Sequence, residues 1–141
     1  MIRKLRKSDI DQVIDIWLEA SIEAHAFIDN DFWKSKAEDM KEIYLPSGET
    51  YVYEEKGVVK GFMSLCDDTL AALFVSPDSQ GTGIGTQLMK KAKDIRDHLK
   101  LTVYKENMKA MAFYRKCGFR IEQEHVDTHT GHAEFLMKFH K

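Results

Sequence analysis

The strongest constraint on this chain is a single join. Leu70-Ala71-Ala72-Leu73-Phe74-Val75, apolar throughout, leads to Gln80-Gly81-Thr82-Gly83-Ile84-Gly85-Thr86, and that glycine turn opens directly into an amphipathic helix. An unbroken apolar run is the pattern of a central strand covered on both faces. Glycine tolerates positive φ, so the turn can aim successive backbone N–H groups at one point. The helix behind it adds its unpaired first-turn donors and the positive end of its dipole. Strand, turn and helix together predict an α/β fold with an anion bound at the turn.

The spacing narrows the anion. A dinucleotide fingerprint needs its third glycine one place later and an acidic residue about twenty residues on, after a second strand. A Walker loop ends in Gly-Lys-Ser/Thr, whereas Gly85 is followed by Thr86 and Gln87. A nucleotide-dependent enzyme is therefore disfavoured, while a plain turn capping a helix stays open on this feature alone.

The rest of the chain alternates elements around this join. Ile2 to Arg6 reads as a short strand, and Ser8 with Asp11 starts a helix whose Ile10, Val13, Ile14, Trp17 and Leu18 share one face. A second helix follows Asp29-Asn30-Asp31, with Trp33, Ala37, Met40 and Tyr44 at helical spacing, and ends at Pro46 and Gly48. Thr50–Glu54 and Val58–Cys66 form a hairpin across Glu55-Lys56-Gly57. After the glycine turn, Ile84, Leu88, Ala92, Ile95 and Leu99 are expected on one helix face, and Leu101–Tyr104 on the next strand, parallel to the central one. A short helix over Asn107–Lys116 and strands Phe119–His125 and Ala133–Phe139, joined by a turn over Asp127–Gly131, complete a mixed sheet.

With 141 residues the chain fits one domain, 1–141. No segment approaches the eighteen or so apolar residues of a membrane span. The basic residues of Met1-Ile2-Arg3-Lys4-Leu5-Arg6 have no apolar run behind them, so no signal peptide is read there. Cys66 and Cys117 are too few for a disulfide framework and are expected as reduced, buried thiols, which predicts a cytoplasmic protein. A net charge of −2 carries no basic footprint and argues against nucleic acid as a partner.

Three stretches then combine: Leu73-Phe74-Val75-Ser76-Pro77, Gln80-Gly81-Thr82-Gly83-Ile84-Gly85, and Asn107 with Ala112-Phe113-Tyr114-Arg115-Lys116-Cys117-Gly118-Phe119. Together they resemble the GNAT family of acetyl-CoA-dependent N-acetyltransferases. Gln80, Gly83 and Gly85 match its Gln/Arg-x-x-Gly-x-Gly/Ala pyrophosphate loop, and Asn107, Phe113, Tyr114, Gly118 and Phe119 match its later Asn…Phe-Tyr-x-x-x-Gly-Phe segment. The chain looks closest to small single-domain bacterial members, some regarded as protein-lysine acetyltransferases; Trp17, His25-Ala26-Phe27-Ile28 and Trp33 add to that likeness.

The resemblance implies a mixed, mostly antiparallel seven-stranded sheet with four helices and a central parallel pair splayed around the cofactor. It implies acetyl-CoA as co-substrate, no metal, and cofactor contacts from Leu73, Phe74, Val75, Gln80, Gly81, Thr82, Gly83, Ile84, Gly85, Thr86, Asn107, Ala110, Phe113 and Tyr114. Tyr114 matches the family's acid for the departing thiolate, and the Phe74 N–H is expected to face the thioester oxygen. The resemblance also implies a primary-amine acceptor, on a protein or peptide lysine or a small molecule, and a monomer or homodimer is expected. A non-catalytic acyl-CoA-binding sensor is the alternative.

Candidate groups for taking the amine's proton are His25, at the end of the first helix, Glu106 and the Asp67-Asp68 turn. The need is large for lysine: neutralising an amine of pKa near 10.4 costs about 4.6 kcal/mol at pH 7, against about 1.4 for an α-amine. Asp29, Asp31, Asp67 and Asp68 are expected near the mouth, favouring a cationic acceptor. His125, His129 and His132 with Asp127 fall in a turn, where helical spacing does not align them as metal ligands.

Overall fold

The apolar run becomes β4 (Thr69–Val75), the middle strand of a seven-stranded sheet ordered β1-β2-β3-β4-β5-β7-β6. The other strands are β1 (Ile2–Lys4), β2 (Glu49–Glu55), β3 (Val58–Cys66), β5 (His98–Tyr104), β6 (Arg120–Val126) and β7 (Ala133–His140). Four helices, α1 (Ile10–Ala24), α2 (Asn30–Asp39), α3 (Ile84–Ile95) and α4 (Met108–Lys116), complete the fold, which is known from a computed structural model describing residues 1–141. All pairings are antiparallel except β4 with β5. This is the fold expected from the resemblance.

The hairpin between β2 and β3 turns on Lys56 and Gly57, both at positive φ (52° and 79°), as a two-residue loop demands. The parallel pair is hardly a pair. β4 and β5 register only at Thr69 and Lys100, where Lys100 N–H donates to the Asp68 carbonyl at 2.9 Å. Beyond that point the strands part. Ser64 lies opposite Ala72 while Leu65 lies opposite Leu70, so Ala71 is an extra residue in β4. Such a bulge bends and twists its strand, here away from β5.

Helices cover both faces. On one, Val13, Ile16 and Trp17 of α1 and Trp33 of α2 pack over Val52, Phe62 and Ala72. On the other, Leu88, Met89 and Ala92 of α3 pack over Met63, Leu65 and Leu101, with Phe119 and Met137 alongside. Leu88 and Phe62 are wholly enclosed, each stabilising the fold by about 1.5–3 kcal/mol. At the N-terminal edge Arg3 forks onto both Asp9 oxygens at 2.7 and 2.9 Å and reaches Glu54 at 2.7 Å, tying β1 to the start of α1 and to β2.

Three expectations need correction. Leu99 is not on the helix: α3 stops at Ile95, and Leu99, Leu101 and Val103 alternate into the core from a strand that begins at His98. Tyr44 is exposed and Leu45 is buried instead, because α2 continues as a π-helical turn over Met40–Tyr44. That turn adds one residue and shifts the buried phase by one position. Cys66 ends β3 at the Asp67 turn and is exposed, while Cys117 is partly buried.

Candidate active site

Where β4 and β5 separate they open a cavity of about 850 Å³ between Leu70–Val75 and Leu101–Tyr104. His25 borders it from the end of α1, Trp33 from α2, Gln80 and Gly85 from the glycine turn, and Asn107, Ala110, Phe113 and Tyr114 from α4. Residues expected from distant parts of the sequence therefore meet in one place. Gly81, Thr82, Gly83, Ile84 and Thr86 do not line it. The Ile84 side chain lies in the core, and the chemistry of this segment resides in its backbone.

Gly83 is the N-cap of α3 in the left-handed region (φ 88°), with no side chain capping the helix. The first N–H bonded back into the helix is Gln87's, to the Gly83 carbonyl at 3.1 Å. Ile84, Gly85 and Thr86 thus present first-turn donors with no internal partner. At Gly85 a Cβ would lie in ordinary contact, 3.5 Å from the Phe113 ring and 3.7 Å from Val75 Cγ2, on the cavity wall. Thr82 Oγ1 donates to the Ser79 carbonyl at 2.5 Å and fixes the turn, and Lys109 Nζ, 3.4 Å from Gln80 Oε1, brings a cation beside it.

The edge of β4 is the next feature. Ser76 N–H donates to the Lys60 carbonyl at 2.8 Å, and Phe74 lies two residues along, opposite Phe62. Bonded pairs recur at every second residue of an antiparallel ladder, so Phe74 turns its N–H and C=O toward β3. A Cβ on Gly61 would meet that Phe74 carbonyl at 3.0 Å. The Phe74 N–H is thus not the cleft donor expected from the sequence. Leu73 and Val75 face the cleft instead. The Val75 carbonyl accepts Gln80 Nε2 at 3.2 Å, leaving the Leu73 groups and the Val75 N–H along the open edge. Phe74 contributes its ring to the wall, stacked on Phe62 at 5.8 Å.

Tyr114 stands in the opposite wall, half-buried between Phe113 and Phe119. Its hydroxyl has no protein partner. Burial, with a smaller contribution from Cys117, pushes its pKa up to about 12.

His25 is 7% exposed, and both ring nitrogens are engaged. Nδ1 lies 2.9 Å from the Ser21 carbonyl, and Asn107 Nδ2 lies 3.3 Å from Nε2. Asn107 Oδ1 accepts the Ala110 N–H at 3.3 Å, capping α4. Burial lowers the His25 pKa against the opposing Ser21 carbonyl, so the ring is neutral at neutral pH. It stacks on Trp33 at 4.9 Å and meets Tyr104 and Phe27 edge-on.

The cavity lining is acidic, though not through the aspartates expected near it. Asp29 caps α2 through the Asp31 N–H, and Asp68 approaches Arg96 at 3.9 Å; none of Asp29, Asp31, Asp67 or Asp68 lines the cavity. Glu23, Glu106, Asp127 and Glu134 do, against the single lysine Lys109. Tyr104 donates to Asp127 at 2.5 Å. The three histidines of this hairpin do not converge: His125 approaches Glu134 at 2.7 Å, His129 approaches Asp127 at 3.3 Å and His132 approaches Glu106 at 3.8 Å. Of these carboxylates the sequence singled out only Glu106 for the site. Asp127 and Glu134 lie far from every motif in the sequence, and the β6–β7 hairpin alone brings them in.

Residues 46–121 match the family described as an acetyltransferase (GNAT) domain. The chain is 35% identical over 122 residues to the peptidyl-lysine N-acetyltransferase YiaC of Escherichia coli, covering 86% of this chain and 84% of that protein. It is 30% identical over 121 residues to the peptidyl-lysine N-acetyltransferase YjaB of the same organism, covering 85% and 82%. The solution structure of apo YjaB superposes with a TM-score of 0.87 over 99% of this chain and 96% of that one, at 25% identity. A PaiA N-acetyltransferase from Thermoplasma acidophilum, solved with coenzyme A, has the same fold with a TM-score of 0.84 at 22% identity, covering 100% and 98%.

Proposed function

The chain belongs to the GNAT acetyltransferase family, and from that membership we propose that it transfers the acetyl group of acetyl-CoA to a peptidyl lysine by direct attack. One observation carries this reading. The opening between β4 and β5 is one cavity lined by Gly85 of the glycine turn, by Tyr114 and by the carboxylates Glu23, Glu106, Asp127 and Glu134, and the first turn of α3 beside it has no side-chain cap.

The residues fit the co-substrate at each stage. The Ile84, Gly85 and Thr86 N–H groups, with Lys109 nearby, suit a pyrophosphate. The open edge at Leu73 and Val75 suits the amides of a pantetheine arm, as an added strand would pair. Asn107, Ala110 and Phe113 wall the opposite side. Bound acetyl-CoA would supply an activated acyl thioester, and the Leu73 N–H on the open edge would serve as a donor to the oxygen on which charge develops as the amine attacks.

Tyr114 then protonates the departing sulfur. A phenol near 10 facing a thiol near 8.5 is uphill by about 2 kcal/mol in water, and burial raises the Tyr114 phenol further. The dry wall that raises the phenol raises the thiol in the same sense, so the transfer works only where both are desolvated.

Glu23, Glu106, Asp127 and Glu134 attract an ammonium group. The exposed Glu106 receives its proton through solvent. His25, neutral and bonded on both nitrogens, can act as a base only if its Asn107 bond opens.

The reading is tested by thiol release from acetyl-CoA with three acceptors: an N-terminally blocked lysine peptide, a peptide with a free α-amine and no lysine, and a polyamine. The lysine peptide is expected to give the highest kcat/KM. Preference for either other acceptor overturns the assignment to peptidyl lysine, and cofactor binding without release for any acceptor makes the chain an acyl-CoA-binding module.

A further inference from the structure

Three hydrogen bonds run in series from the start of α4 to the end of α1. The Ala110 N–H donates to Asn107 Oδ1 at 3.3 Å, Asn107 Nδ2 lies 3.3 Å from His25 Nε2, and His25 Nδ1 lies 2.9 Å from the Ser21 carbonyl. Their directions are fixed by the two ends. A backbone N–H only donates, so the Asn107 atom facing it is the oxygen, and the atom facing His25 is the NH₂ donor. A backbone carbonyl only accepts, so the proton on His25 is on Nδ1 and Nε2 receives. Both ends demand the same tautomer.

We propose that Asn107 is a positioning residue that locks His25 as the neutral Nδ1–H tautomer, fixing the cavity wall where the acceptor and cofactor halves meet. Asn107 belongs to the cofactor side, as the cap of α4, and His25 to the acceptor side, at the end of α1. Their bond joins two elements 82 residues apart in the chain. The groups packed on the ring are Ser21 from α1, Phe27 from the following loop, Trp33 from α2, Tyr104 from β5 and Asn107 itself. No carboxylate is among them, and the one contact that favours an imidazolium, the Ser21 carbonyl, is outweighed by burial. A neutral wall leaves the carboxylates of the mouth to hold a cationic amine without competition from a second cation. The functional meaning of the wall rests on the acetyltransferase reading; the tautomer does not.

Long-range ¹H–¹⁵N spectra of the imidazole nitrogens of the full chain test this directly. At neutral pH the His25 signals are expected from an Nδ1–H ring with bare Nε2; an Nε2–H ring or an imidazolium overturns the proposal. Asn107→Asp keeps the capping oxygen but turns a carboxylate toward Nε2 while the Ser21 carbonyl still accepts from Nδ1, so the ring is expected to take a second proton and become an imidazolium at neutral pH. A ring that stays neutral with bare Nε2 in that variant also overturns it.

The kinetic consequence is separate. His25→Ala is expected to raise the lysine-peptide KM on the order of tenfold, with the acid-limb pKa of kcat unchanged, and His25→Gln, which restores an acceptor near Nε2, to recover most of that loss. Loss of the acid limb in His25→Ala would make His25 a base and refute the positioning role. Because the spectra need no turnover, they decide the tautomer even if the chain proves inactive as an acetyltransferase.

Discussion

The Tyr104 hydroxyl donates to Asp127 Oδ2 across 2.5 Å, joining the open end of β5 to the β6–β7 turn. The bond holds a carboxylate at the mouth of the cavity. Burial raises the Asp127 pKa, but the hydrogen bonds from Tyr104 and His129 outweigh it and leave the carboxyl below its usual range. The same bond and, above all, burial hold the Tyr104 phenol well above its ordinary value. Tyr104→Phe is expected to lower stability by about 1–3 kcal/mol, since it leaves a half-dry carboxylate short of a donor. It also frees the turn, so the lysine-peptide KM should rise while the acetyl-CoA KM does not. Urea melts and the two KM values check this; equal rises in both would show that Asp127 does not serve the acceptor end.

Tyr114→Phe removes the proposed acid and little else, because its hydroxyl has no protein partner. The variant is expected to lose about 10²–10⁴ in kcat, with coenzyme A stabilising it in a thermal melt as it does the parent. An unchanged kcat would take Tyr114 out of the reaction.

Gly83→Ala places a Cβ at φ 88°, which is strained by about 1–2 kcal/mol. A lower Tm is one outcome to measure. The more specific one is loss of coenzyme A stabilisation, because the strained cap misaims the Ile84, Gly85 and Thr86 donors. A variant that is less stable but still fully stabilised by coenzyme A would place the phosphates elsewhere.

Asp9 sets an acid limit on the fold. Hydrogen bonds from Arg3, opposed by burial, hold its carboxyl below the usual carboxylate range. A depressed folded pKa contributes stability above the unfolded value near 3.9 that is lost as pH falls through the folded one. Asp9→Asn should therefore be clearly less stable than the parent at pH 7, and the gap should narrow as pH falls below about 4. Denaturant midpoints at several pH values measure the gap; a pH-independent difference would contradict the ion-pair account.

Much of the fold could be read from local pattern. The apolar run of β4, the Lys56-Gly57 hairpin and the glycine turn each declare their geometry in a few residues, and the motif around Tyr114 placed α4. What failed depended on longer-range events. The π-helical turn at Met40–Tyr44 shifted a helical phase that looked regular, and Leu99 fitted a helix face until the chain broke at Arg96 and Asp97. Phe74 was misassigned because ladder parity is invisible in sequence: only its pairing with Phe62 shows which residues of β4 face the cleft. The acidic mouth was legible only at Glu106, since Asp127 and Glu134 reach the cavity through the pairing of β6 and β7.

The most direct test of the account is the initial rate of thiol release from acetyl-CoA by the full chain with a blocked lysine peptide, paired with mass analysis of the peptide. The account predicts saturable, lysine-dependent release with one acetyl group gained per thiol, and a rate that collapses in Tyr114→Phe. Coenzyme A binding with no acceptor-dependent release, or release that is indifferent to Tyr114, would contradict it.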